Sequence, residues 1–228
     1  MHKKACTMLD LVSGNDHYAD TILESIKKHW DKSSGDSQTG FVFTSSAGVY
    51  AENAGGVVNE GSEVKHSPYT DQILGGESHV LAAGGSVVRL GGLFTVNRGA
   101  HNFWLTSGRP AFTSAPNGLI NLISYHDAAL ISVDVLHAAK DVTEGKLYLV
   151  SDGVPISRVG ICEGAIANPK YAECKVPKFE GDPGLIDGKK YDTGLVRKSL
   201  GWAPVFPSFA EYMKNLYVKD PPCKLLDE

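Results

Sequence analysis

The sequence predicts an α/β chain organised around a parallel sheet, and three observations carry that prediction. Amphipathic segments with helical spacing alternate along the chain with short apolar runs. Those runs fit strands buried on both faces, as in a sheet covered by helices on either side. The 228 residues, 42% hydrophobic and 21% charged, supply apolar material for one sizeable core.

From Asp16 to Trp30, the residues Ala19, Ile22, Leu23, Ile26 and Trp30 fall at helical spacing, with Lys27 and Lys28 near the end that favours cations. The Ser/Gly/Asp-rich stretch Asp31–Gly40 reads as a loop, and Phe41-Val42-Phe43 as a short buried strand. Ser67 and Pro68 open a helix, a capping residue followed by proline at the first helical position, and Tyr69, Ile73, Leu74, Glu77, Val80 and Leu81 continue it. Gly75 and Gly76 are expected to weaken that helix by about 1 kcal/mol each relative to alanine. Ser86–Leu90 is the next strand, closed by Gly91 and Gly92. A helix from Asp127 to Ala139, a strand from Lys146 to Val150, a helix from Ser157 to Ala167 and short helices near Leu195 and Ser208 complete the alternation. There is no internal repeat and no low-complexity tract.

Composition excludes several classes. A net charge of −4 with no Lys/Arg block argues against nucleic acid as a partner, since binding to phosphate backbones needs a clustered basic face. Cys6, Cys162, Cys174 and Cys223 show no CxxC spacing and no Asn-x-Ser/Thr site occurs, so reduced thiols are expected rather than a zinc module or a secreted disulfide scaffold. The histidines lack ligand spacing, and no metal site is expected. The opening MHKKACTMLDLVSG has no sustained apolar region, and nothing approaches the ~20 apolar residues of a membrane span. A soluble, intracellular chain, cytoplasmic or organellar, without membrane partners, is expected.

The residues that carry chemistry follow the first strand. Thr44-Ser45-Ser46-Ala47-Gly48-Val49-Tyr50 leads to Glu60 and then to Ser67-Pro68-Tyr69. Hydroxyls and backbone amides gathered at the carboxyl ends of parallel strands are where open α/β sheets bind ligands. Further blocks are Arg89-Leu90-Gly91-Gly92-Leu93-Phe94 with Arg98, the segment Asn121–Ala129, Tyr148–Pro155, and Leu200-Gly201-Trp202-Ala203-Pro204. In order and spacing, from about Gly14 to Met213, these blocks resemble the extended short-chain dehydrogenase/reductases of the NAD-dependent epimerase and dehydratase type. The resemblance implies a Rossmann-like doubly wound parallel sheet, N-terminally truncated, with a small C-terminal substrate lobe. The chain is then one domain over residues 1–228, with 1–90 a remnant of the Rossmann part and 91–228 holding the mixed, substrate-lobe segments.

By matching position, the resemblance makes Ser46 the serine that bonds the substrate oxygen and Tyr69 the acid/base, while a nicotinamide exchanges hydride. It assigns Thr44, Ser45, Tyr69, Leu90, Gly91 and Gly92 to an NAD or NADP cofactor, and Ser46, Arg98, His101 and Arg109 to a small hydroxy, carbonyl or nucleotide-sugar substrate. It also permits a homodimer through the helices Asp16–Trp30 and Ser67–Leu81.

Two departures set limits on the resemblance. The family's lysine, four residues after its tyrosine, is Ile73 here, and an isoleucine can neither activate Tyr69 nor hold a ribose. Lys65 and His66 lie just upstream. No GxxGxxG turn for a pyrophosphate occurs, so roughly the first three strand-helix units of such a sheet are expected to be missing. A non-catalytic binding scaffold, or the product of an incomplete gene model, is therefore the alternative to an active oxidoreductase. Each site residue also has a plainer use: Ser45 and Ser46 can satisfy strand-end backbone, Tyr69 can pack at a helix start, and Arg98, His101 and Arg109 can sit in a solvated loop. The glycine pairs can serve turns and close packing, and Asp127, beside His126, reads as a helix cap rather than a metal or catalytic partner.

Overall fold

The structure, a computed structural model, describes residues 17–30 and 41–215. Asp16, the Asp31–Gly40 loop, Cys6 and Cys223 lie outside the described residues. In chain order come α1 (Tyr18–His29), β1 (Val42–Ser46), a 3-10 turn (Ala47–Val49), β2 (Ala54–Val58), α2 (Pro68–Ala82), β3 (Ser86–Leu90) and β4 (Gly92–Phe94). The chain continues through α3 (Ala100–Thr106), β5 (Ala111–Phe112), β6 (Leu119–Ile120), β7 (Leu122–Ser124), α4 (Tyr125–His137), α5 (Lys140–Thr143) and β8 (Leu147–Val150). It ends in β9 (Ile156–Ser157), α6 (Arg158–Ile166), a 3-10 turn (Pro169–Tyr171), β10 (Lys178–Phe179), β11 (Gly188–Tyr191), α7 (Gly194–Leu200) and α8 (Phe209–Asn215).

The central sheet has the order β1-β3-β8 and is parallel throughout. Ser46 pairs with Leu90 and Leu90 with Val150, so the three strands end level at their carboxyl edge. Alternate residues feed opposite faces. Val42, Val88, Leu90, Tyr148 and Val150 join Ile131 and Val135 of α4 and Val196 of α7 in one core. Phe43 and Val87 join Tyr18, Ile22 and Ile26 of α1 and Val80 of α2 in another. The sheet is thus covered on both sides, as the alternation predicts.

Beyond it, β2-β11-β6-β9 form a second sheet, parallel except where β6 meets β9, and β4 pairs with β7 and β5 with β10, both parallel. These short strands, with α3, α6 and α8, make the lobe that holds a third core around Phe94, Leu122, Ile161, Tyr171, Phe209 and Met213.

Three local expectations change. The first strand runs on through the serine pair to Ser46 instead of ending at Phe43. The fourth helix starts at Tyr125, and its cap is Ser124, whose side chain accepts from the Asp127 amide at 2.9 Å. Asp127 sits in the first turn and works elsewhere: its carboxylate accepts from Val205 and Phe206 amides at 2.8 and 3.2 Å and from the Ser124 hydroxyl at 2.9 Å. Gly75 and Gly76, expected only to weaken α2, are where α1 crosses it. A Cβ at Gly76 would lie 2.5 Å from Ile22 Cδ1, and one at Gly75 3.0 Å from the Ala19 Cβ. Helix–helix approach explains the pair, at the propensity cost given above. Ser67 and Pro68 open α2 as predicted, the Ser67 hydroxyl accepting from the Thr70 amide at 3.1 Å.

Candidate functional site

At the carboxyl edge of the central sheet β1, β3 and β8 end level with one another. Ser46 ends β1 and caps the following turn, its hydroxyl accepting from the Gly48 amide at 3.1 Å while its own hydrogen stays free for another acceptor. Tyr69, the second residue of α2, is 51% exposed and its hydroxyl bonds no described residue. Ile73, one turn further on, is 3% exposed. The position that would carry the family's lysine is therefore part of the core.

Ser45 is directed inward. Its hydroxyl donates to Glu77 of α2 at 2.5 Å, and Glu77 receives Arg89 of β3 through Nε at 2.9 Å and Nη2 at 2.6 Å. All three are buried, and the Arg89 guanidinium lies 4.9 Å from the centre of the Tyr50 ring. An ion pair this deep stabilises little in net terms, but it fixes β1, β3 and α2 in one register, because breaking it strands a charge in the core. Arg89 carried the signal: a cation inside the run Ser86–Leu90 requires a buried anion.

Leu90, Gly91 and Gly92 are also engaged within the protein. Leu90 belongs to the core, a Cβ on Gly91 would lie 2.9 Å from the Asn121 carbonyl oxygen, and the Gly92 amide donates to that same oxygen at 2.8 Å. The glycines make room for Asn121. Among the six positions assigned to a cofactor, Ser45, Leu90, Gly91 and Gly92 already have partners in the chain, and Tyr69 presents its hydroxyl outward. Thr44 stands between them, half-buried on β1. Among the described residues there is no glycine-rich turn of the kind that holds a pyrophosphate.

The substrate positions separate. His101 is on α3 and 1% exposed, its Nε2 at 3.0 Å from the Val96 carbonyl and its ring edge-on to Tyr171 at 5.3 Å. Burial holds its pKa below the ordinary value, with the Val96 contact opposing and Lys170 adding to the fall. The structure uses it for packing. Arg98 and Arg109 are exposed, stacked over Tyr125 at 5.4 Å and Phe103 at 5.8 Å. Glu60 reaches β8, its Oε1 accepting from the Leu149 amide at 2.9 Å.

Residues beyond the predicted set hold the edge together. Asn121 latches β11: its Nδ2 donates to the Lys189 carbonyl at 2.8 Å and its Oδ1 accepts from the Tyr191 amide at 3.0 Å. From β11, the Lys189 ammonium donates to the Tyr50 carbonyl at 2.6 Å and the Tyr191 hydroxyl to the Ala47 carbonyl at 3.3 Å. The turn that follows Ser46 is thereby tied to a strand far away in sequence. Tyr191 is half-buried, and the loss of water around its hydroxyl pushes the pKa up to about 12. Lys189 has its pKa lowered, by burial first and by Lys65 second, with Glu52 opposing.

Next to this edge, after β8, Asp152 is 3% exposed. Its Oδ1 accepts from the Val154 amide at 2.9 Å, and its Oδ2 has no hydrogen-bond partner among the described residues. Burial raises its pKa to about 7; Asp127 adds to the rise, while the Val154 and Phe209 amides and Arg197 oppose it. Among the described residues no group of three His, Cys, Asp or Glu side chains is arranged to hold a metal, and no helix is long and apolar enough to cross a membrane.

No family model matches the sequence, and no curated protein matches it significantly. Solved structures do. A UDP-glucuronic acid 4-epimerase from Bacillus cereus, in complex with UDP-glucuronic acid and NAD, superposes with a TM-score of 0.66 at 18% identity, over 87% of this chain and 67% of that one. A dTDP-glucose 4,6-dehydratase from Bacillus anthracis in complex with NAD gives 0.65 at 17% identity, over 87% and 66%. A UDP-glucose 4-epimerase from Thermotoga maritima with UDP-glucose gives 0.64 at 14%, over 86% and 65%. The matched region spans about two thirds of each of these proteins. The chain has the Rossmann-like fold of the NAD-dependent nucleotide-sugar epimerases and dehydratases.

Proposed function

We propose that the chain acts as an NAD(P)-dependent oxidoreductase of the epimerase and dehydratase kind on a small hydroxy or carbonyl substrate, a nucleotide sugar being the class its structural neighbours hold. What supports this reading is that β1 ends in Ser46 level with β3 and β8, at the edge where open α/β sheets bind ligands, and that Tyr69 stands at the start of the helix that joins β1 and β2 to β3. The bound cofactor supplies hydride transfer. Ser46 donates its free hydrogen to a substrate oxygen; when hydride reduces a carbonyl carbon, Tyr69 gives its phenolic proton to the carbonyl oxygen and is left as tyrosinate, and in the oxidising direction the tyrosinate takes the hydroxyl proton back. With Ile73 in the core, Tyr69 does this without a lysine on its own helix face.

Calorimetric titration of the purified chain with NAD+, NADH, NADP+ and NADPH tests the reading, beside a variant carrying Ser46→Ala and Tyr69→Phe. Micromolar binding weakened by the double change supports it. Absence of heat at millimolar nucleotide overturns it in favour of a scaffold without cofactor. A dimer through α1 and α2 belongs to the same proposal, and a sedimentation mass of one chain at micromolar concentration counts against it.

A further inference from the structure

We propose that residues 202–215, which include α8, form a proton-operated latch on the lobe: the segment stays docked while the Asp152 carboxyl is protonated and lifts more readily once it ionises. The latch goes beyond the oxidoreductase reading and does not depend on it. The segment rests where β7 ends. Ser124, the last residue of β7, pairs with Phe94 of β4, and its hydroxyl donates to Asp127, whose carboxylate also accepts from the Val205 and Phe206 amides. Three residues on, Phe209 opens α8 with its ring 4.9 Å from that of Phe94 and 5.2 Å from that of His101, and the Tyr212 ring stands edge-on to Phe94 at 4.9 Å. Asp152 is fixed to the same strand, its amide donating to the Leu122 carbonyl at 2.8 Å. Two buried carboxyls are thus tied to the strand end that carries the segment.

The two are unequally supplied with donors. Asp127 accepts from a hydroxyl and two amides, whereas Asp152 accepts from the Val154 amide on Oδ1 and has no partner for Oδ2 among the described residues. A buried carboxylate in that position is costly, and its neutral form is far less so. The charged groups around it do not relieve it. From α7, Arg197 gives Nη2 to the Asp152 carbonyl at 3.1 Å and Nε to the Thr193 hydroxyl at 3.1 Å, and it forms no ion pair with the carboxyl. From α4 comes Asp127, of like charge, with the exposed His126 3.8 Å from it. Arg158 of α6 is engaged with Asp187, while Glu163 of α6 and Glu211 and Lys214 of α8 are exposed. Burial first, with Asp127 adding, raises the pKa of Asp152 to about 7 against the Val154 and Phe209 amides and Arg197. Lifting the segment opens Asp152 to water, where it titrates near 3.8. The docked form therefore keeps a proton that the lifted form releases, so lifting becomes easier by about tenfold per pH unit from about 4 to about 7 and changes no further above that. It takes Phe209, Tyr212 and Met213 out of the lobe core and uncovers Phe94 and His101.

Hydrogen exchange of the whole chain, followed by mass spectrometry between about pH 4 and pH 8 and corrected for the intrinsic pH dependence of exchange, tests the latch. Protection of the amides of α8 is expected to lie below that of β3 and to fall by about a thousandfold from about pH 4 to about pH 7, then to level off. A low concentration of urea should speed exchange in β3 and leave α8 little changed, because the latch opens without global unfolding. Asp152→Asn, which keeps the shape and the acceptor for Val154, should remove the pH dependence in α8, and His126→Gln should retain it. Protection in α8 that does not change with pH overturns the proposal. So does a fall that Asp152→Asn retains or His126→Gln abolishes, or exchange in α8 with the same protection and urea response as β3. No nucleotide or substrate enters these measurements, so failure of the oxidoreductase reading leaves them unaffected.

Discussion

Asp152→Asn is expected to make the protein more stable at neutral and alkaline pH while changing little near pH 4. The carboxyl is almost entirely shielded from water, one oxygen has no hydrogen-bond partner among the described residues, and burial lifts its pKa from 3.8 to about 7. The folded chain therefore keeps a proton that the unfolded chain releases from about pH 4 upward, so stability falls as pH rises and the loss is complete above about 7. At about 1.36 kcal/mol per pH unit the accumulated cost is roughly 4 kcal/mol. Asparagine has the same shape, keeps the acceptor for Val154 and never ionises. The difference between variant and parent should therefore grow from near zero at about pH 4 to roughly 4 kcal/mol at about pH 8, or about 8–16 °C in melting temperature for a chain of this size. Urea unfolding of both proteins across that range measures it. A difference that does not change with pH, or one that favours the parent at about pH 8, refutes the reasoning.

Other perturbations test the remaining structure. Glu77→Leu should cost about 3–5 kcal/mol in urea unfolding by leaving Arg89 charged in the core, and Glu77→Leu with Arg89→Met should cost clearly less than the sum of the single changes. Gly118→Ala should displace the Arg158–Asp187 ion pair, since its Cβ would fall 1.6 Å from Arg158 Nη1 and 1.9 Å from Asp187 Oδ1; both are flexible side-chain ends that can swing aside, so a cost of about 1 kcal/mol is expected in urea unfolding, with the pair seen displaced in a crystal structure. Arg158→Gln should reduce acid sensitivity: Arg158 holds the Asp187 carboxyl below its ordinary range, a contribution present above about pH 4 and lost as pH falls, so the gap between parent and variant should close in acid melts. Asn121→Ala should cost about 2–4 kcal/mol by freeing both backbone groups of β11 that it holds, with hydrogen exchange at Tyr191 rising more than exchange in β3.

The central sheet was legible because its strands are bounded by local signals. Ser67-Pro68 marks the start of α2, the run Ser86–Leu90 coincides with β3, and Ser157 caps α6 as its position suggests. The lobe was not, because β5, β6, β9 and β10 are two residues long and exist only through partners distant in sequence. The spacing of the blocks put Ser46 at a strand end and Tyr69 at a helix start, and the structure has them at the end of β1 and in the first turn of α2. Ser45 was not separable from Ser46, since only the fold reveals which of two adjacent hydroxyls turns toward Glu77. His101 looked available in sequence because nothing local announces α3 or the aromatic rings that close over it. Lys189 gave no signal, and Asn121 only opened one of the matching blocks, for their importance lies in the backbone groups they reach.

The ties from β11 back to the turn after Ser46 join residues 139 and 144 positions apart, Lys189 with Tyr50 and Tyr191 with Ala47. Closing loops of that size is slow, and it becomes favourable only after the intervening layers have formed. During synthesis the serine turn leaves the ribosome long before the strand that secures it, so this edge of the sheet must be among the last parts of the molecule to reach its final shape. An early-made, incomplete chain would hold much of the sheet and little of the site.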